Sequence, residues 1–112
     1  MRMNSRAWSD RFDAVPWAEI ATWFHELAAE HAEFRPMTDI VTSVLARGGD
    51  RHLVALTSMH DLVVTSRPVP DDRPIEVVVV RSPSSGHADA DAVPLFWRLV
   101  REKFGVEPVR QL

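Results

Sequence analysis

The feature that most constrains this chain is a run of four valines, Val77, Val78, Val79 and Val80, preceded by Ile75. In an extended strand, successive side chains point to opposite faces. Val77 and Val79 therefore project one way, and Val78 and Val80 the other. An antiparallel sheet with one wet face alternates apolar and polar residues, and this strand does not. The neighbouring segments repeat the pattern. Leu53 and Ala55 oppose Val54 and Leu56, and Leu62 and Val64 oppose Val63. Both faces of such a sheet need cover.

Residues 38–81 are dense in β-branched side chains and punctuated by turn chemistry. Residues 38–47 read as a first strand, in which Ile40 and Val44 oppose Val41 and Leu45. Gly48-Gly49 suits a two-residue hairpin, because both glycines accept positive φ. Residues 52–58 then form the return strand, 61–66 a third after a turn at Met59-His60, and 75–81 a fourth. Between the last two, Pro68, Pro70 and Pro74 mark an exposed loop, since proline cannot donate to a ladder. The first strand has a rival. Ile40, Val41, Val44 and Leu45 also line one helical face, with Gly48 placed to end that helix in the left-handed conformation. The β-branched density favours the strand.

Helical periodicity is clear on either side of this region. Over residues 16–34, Trp17, Ile20, Ala21, Phe24, Leu27, Ala28 and His31 share one face, and Glu19, Glu26, Glu30 and Glu33 the other. Pro16 fits a first turn, Asp13 is a candidate N-cap, and Pro36 sets the end. In the second helix Val93, Phe96, Trp97, Val100 and Phe104 share a face. Asp89 or Asp91 caps its start, Pro94 lies in its first turn and Gly105 follows its end. Residues 1–15 read as an N-terminal arm, in which Trp8 and Phe12 make a helical turn or tuck an aromatic onto the body. The expected fold is α+β: an N-terminal helix, a three- to four-stranded antiparallel meander, and a C-terminal helix packed on the sheet. One domain over 16–108 and a tail over 109–112 complete the organisation expected of 112 residues.

Composition narrows the function classes. A net charge of −3 and a pI near 5.9 provide no field to attract nucleic acid or anionic lipid. Arg98, Arg101 and Lys103 point in different directions on a helix and make no stripe. There is no cysteine, which excludes disulfides and thiolate chemistry and favours a reducing compartment. No apolar run suggests a signal peptide or membrane span, so a cytoplasmic protein is expected. Lys103 is the only lysine among 13 basic residues, a bias that points to a GC-rich bacterial genome.

No pattern specifies chemistry. His25 and His31 lie six apart on one helix, too far around its axis to share a metal, and His31 reads as a core histidine. His60-Asp61 flanks a turn, where both residue types serve local hydrogen bonding. Ser58, His60 and Asp61 have the residue types of a hydrolytic triad without its strand–turn–helix setting. His87, Asp89 and Asp91 could face a cation, but aspartates ahead of a helix complement its positive end. The Ser-Ser-Gly loop at 84–86 has no lysine for phosphate binding. No catalytic residue, metal ligand or cofactor is assigned.

The doubly apolar sheet carries the expectation about partners. If both helices pack on one face, the other stays open and marks a partner site, most simply a two-fold one. The expected function is a non-enzymatic protein-interaction module of accessory, chaperone-like or immunity type. Such a module would be homodimeric, with Trp23, Val78 and Val80 as candidate interface residues. The alternative is a small-molecule-binding protein or small enzyme with a pocket between sheet and helices. His52, His60, Asp61 and His87 would be its polar groups.

Overall fold

Four strands form one antiparallel sheet: β1 (Met3–Trp8), β2 (Leu53–Ser58), β3 (Asp61–Ser66) and β4 (Ile75–Val80), in the order β1-β4-β3-β2. The helices are α1 (Trp17–Glu30), α2 (Arg35–Ala46) and α3 (Ala92–Phe104). This computed structural model describes residues 3–69, 71–72, 74–81 and 92–107. The fold is α+β with an antiparallel sheet, and the C-terminal helix packs on it beside β1 and β4.

Several expectations about local structure are corrected. Residues 38–47 are not a strand: 35–46 form α2, as the rival reading had it. Ile40, Val41 and Val44 are wholly buried along one stripe of that helix, and this burial outweighs the modest helix penalty of β-branched residues. Gly48-Gly49 is therefore no hairpin. Gly48, at φ 72°, is the left-handed residue that ends α2, and Gly49 opens a short 3-10 turn, Gly49–Arg51. At the N-terminus, the arm contains a strand. Met3–Trp8 pairs with β4 residue for residue, from Met3 opposite Val80 to Trp8 opposite Ile75.

The helix boundaries follow from backbone chemistry. Pro16 is the residue before α1, and no side chain caps the start; Asp13 instead pairs with Arg11 at 2.8 Å on the surface. At His31 the backbone becomes extended, a 3-10 turn (Ala32–Phe34) follows, and α2 begins with Pro36 in its first turn. Gly105, at φ 69°, stands just past α3 in the expected left-handed conformation.

The three helices of the described residues all lie on one side of the sheet. Ile20 and Phe24 of α1, Met37, Ile40, Val41 and Val44 of α2, and Phe96, Trp97 and Val100 of α3 share one core with Leu53, Ala55, Leu62, Val64 and Val80. Two hydrogen bonds, one buried and one partly buried, fix the packing. The Thr38 hydroxyl donates to the Phe24 carbonyl at 3.1 Å, and the Trp97 indole N–H to Ser43 Oγ at 3.0 Å. A Cβ on Gly49 would stand 2.8 Å from the Trp97 ring, so backbone and indole approach as closely as only glycine permits.

The opposite face is closed as well, by irregular chain. Val54, Leu56, Val63, Ile75, Val77 and Val79 form a second core with Phe12, joined by Trp8, Val15 and Val69. Within one chain Val63, Val77 and Val79 are 1%, 0% and 3% exposed. The strap leading from β1 to α1 runs across this face, and Phe12 is its principal plug.

Candidate functional site

The closed second face removes the reason for a partner there. Val78 and Val80 are wholly buried; Val80 belongs to the core under the helices, and alternation puts Val78 on the same side. Neither forms a surface, so the interface role expected of them is corrected. Trp23 is half-buried on α1 and packs against that core.

The sheet has two edges, and they differ. On β2 the Val15 N–H donates to the Ala55 carbonyl at 2.8 Å, and the Trp17 indole N–H donates to the Leu53 carbonyl at 2.9 Å. Chain and side chain thus occupy that edge at Leu53 and Ala55. β1 pairs with β4 over all six residues. Among the described residues, no other backbone hydrogen bond reaches it. A strand in this position presents outward N–H and C=O groups, a template for another strand. Along β1, Met3, Ser5 and Ala7 share the helix side with Val80, Val78 and Glu76, while Asn4, Arg6 and Trp8 share the other side with Val79, Val77 and Ile75. The Ser5 hydroxyl donates to the Glu76 carboxylate at 2.9 Å, and Lys103 of α3 stands 3.7 Å from the same oxygen.

A second surface feature is the β2–β3 turn. Met59 and His60 both have positive φ, 50° and 73°, the twist a two-residue antiparallel hairpin requires. Neither is glycine, so the conformation carries strain. The His60 ring stacks on Trp23 with centroids 5.4 Å apart and planes 9° from parallel. Phe34 meets the same imidazole edge-on at 5.7 Å. These contacts tie the turn to α1 and the 3-10 turn after it. Met59 points away, 91% exposed.

The candidate polar groups do not converge. His52 and His60 flank opposite ends of β2, about 20 Å apart for a six-residue strand. Asp61 opens β3 next to His60. His31 is exposed just past α1, not in the core; its ring meets Phe34 edge-on at 6.3 Å. His25 lies on the outward side of α1 in a shallow hollow with Ala21, Thr22, Glu26 and Ala29. His87, Asp89 and Asp91, the Ser-Ser-Gly loop and the proposed cap of α3 lie outside the described residues. Among the described residues, no three acidic or histidine side chains are grouped to hold a metal. None of their helices is long and apolar enough to cross a membrane.

Sequence reasoning missed the open edge. Met3 and Trp8, the larger apolar residues of β1, fall on opposite sides with polar residues between them, so no alternation announces a strand. The usable signal was Trp8, Phe12 and Val15 ahead of Pro16, an apolar series at helical spacing that serves instead to cover a sheet.

Together these features define an α+β protein whose four-stranded sheet is covered on both faces and partly occupied along one edge. Comparison with protein-family models, curated proteins and solved structures finds no match.

Proposed function

We propose that this chain is a non-enzymatic protein-interaction module, of accessory, chaperone-like or immunity type, that works as a homodimer. One observation carries the reading: β2 is met on its outer side by Val15 and Trp17, while β1 is paired on one side only among the described residues. An open hydrogen-bonding edge, rather than an open apolar face, is what the chain offers a partner. Strand addition at such an edge gives affinity through main-chain hydrogen bonds and specificity through alternate side chains. The competing picture, a small molecule held between sheet and helices, has less support. Phe24, Met37, Ile40 and Phe96 fill that space and are wholly buried.

Light scattering across a range of concentrations up to high micromolar tests the reading. A mass near 25 kDa, twice the 12.7 kDa of the chain, is the expected result. A strict monomer throughout removes it. A melting temperature raised by a metal or common metabolite would favour the ligand-binding alternative, since ligand at 100 times its Kd stabilises by about 2.7 kcal/mol.

A further inference from the structure

The open edge dictates more than the existence of a partner, because a strand that meets its own copy has few symmetric ways to do so. We infer that β1 pairs with β1 of a second copy about a two-fold axis passing through Ser5, giving one continuous eight-stranded antiparallel sheet. This rests on the self-association reading above.

In an antiparallel ladder, hydrogen-bonded and non-hydrogen-bonded pairs alternate. A two-fold axis normal to the sheet must carry each pair onto one of the same kind. The axis therefore passes through a pair of identical residues facing each other, and cannot fall between two pairs. Within Met3–Trp8, only centres at Ser5 and Arg6 pair five residues; centres at Asn4 or Ala7 pair three.

Charge then separates the two long registers. A centre at Arg6 sets two guanidinium groups directly opposite each other, which is destabilising in a cross-strand pair. A centre at Ser5 sets Asn4 opposite Arg6 of the second copy, twice, and Met3 opposite Ala7, twice. Facing residues in a ladder share a side, so Met3, Ser5 and Ala7 of both copies remain on the helix side. The helices of both copies then cover the same side of the joined sheet. Val15 and Trp17 occupy the β2 edge at Ala55 and Leu53, which leaves β1 as the edge for this growth, and pairing it by symmetry joins two copies.

The absence of native cysteine makes the register measurable. Single variants Ser5→Cys, Arg6→Cys and Ala7→Cys of the full chain, oxidised under dilute conditions, report which residue meets itself. Directly opposed residues lie about 4.5–5.5 Å apart between Cα atoms, within disulfide reach. Two Ala7 positions would be displaced by a further ~13 Å along the strand. The expected result is rapid covalent dimer from Ser5→Cys and little from the others. A dimer in which Ser5→Cys does not outrun Arg6→Cys and Ala7→Cys overturns the register and leaves self-association standing. A monomer by light scattering removes both. Charge changes at Asn4, which is exposed, provide a second reading with little risk to folding. Asn4→Glu, facing Arg6, is expected to tighten the dimer about threefold to fivefold, and Asn4→Arg to loosen it by a similar factor. Equal effects from both, or none, overturn the proposal.

Discussion

The two faces of the sheet bury comparable valines by unlike means. On one side, three helices bring Phe24, Met37 and Phe96 down in regular order, each held by its turn and by its neighbours. On the other, an irregular strap crosses the strands with Phe12 as its main plug. Both leave the sheet dry, so the apolar effect is served equally by regular and irregular cover. The difference lies in redundancy. A helix distributes its contact over several turns, whereas the strap rests mainly on Phe12, with the half-buried Val15 beside it. The helix side is expected to set global stability, and the strap side to be where the fold opens first.

The largest effect is expected on the helix side. Phe96→Ala removes a wholly buried ring that packs edge-on against Trp97 at 5.6 Å. A loss of about 3–5 kcal/mol follows from the lost transfer energy and the cavity left behind. Chemical denaturation followed by Trp fluorescence measures it. A loss below about 1 kcal/mol would mean that α3 is not part of the cooperative core.

Phe12→Ala makes the comparison on the strap side. Phe12 is 8% exposed and has irregular backbone around it, so the chain can relax into part of the vacated space. A smaller loss is expected, about 2–3 kcal/mol. Hydrogen exchange separates the faces further. Amides of β4 should lose protection in Phe12→Ala while those of α1 retain theirs. Uniform loss across both would show that strap and helices open as one unit.

The valine run made the need for two covers legible, and the strands around it lie where the alternation puts them. What could not be read was which segments serve as covers. Residues 38–47 carry Ile40, Val41 and Val44, side chains that fit a pleated surface or a helical stripe equally well. The choice was made by tertiary burial against Phe24 and Phe96, which a local window does not contain. The strap was invisible for a related reason: Trp8 and Phe12, four apart, satisfy helical spacing, yet Trp8 ends a strand and Phe12 lies in a loop. The edge was harder still, since an open edge is defined by what does not pair with it. The histidines were legible only as scattered polar groups.

Close packing on the helix side supplies a sharper, smaller test. Gly49→Ala inserts a methyl 2.8 Å from the Trp97 ring and 3.2 Å from Val44. With φ of Gly49 in the ordinary range, sterics alone decide the outcome. Overpacking of this kind costs about 1–3 kcal/mol, and the lower part of that range is expected because an indole can tilt. A stabilised Gly49→Ala would show that the helix side is looser than its burial suggests.

The smallest effects belong to the β2–β3 turn, where strain and contact can be separated. Met59 and His60 share the left-handed conformation, but only His60 touches other rings. Met59→Gly relieves strain and loses almost nothing, since its side chain is 91% exposed. A gain of about 0.5–1 kcal/mol in thermal unfolding is expected, offset in part by the extra freedom of glycine in the unfolded chain. His60→Gly relieves the same strain and loses the stack on Trp23, worth about 0.5–1.5 kcal/mol. It is therefore expected to be neutral or slightly destabilising. The difference between the two variants measures the tie between turn and α1. If they change stability equally, His60 rests on Trp23 without holding it, and the helix face has one fewer anchor than its geometry implies.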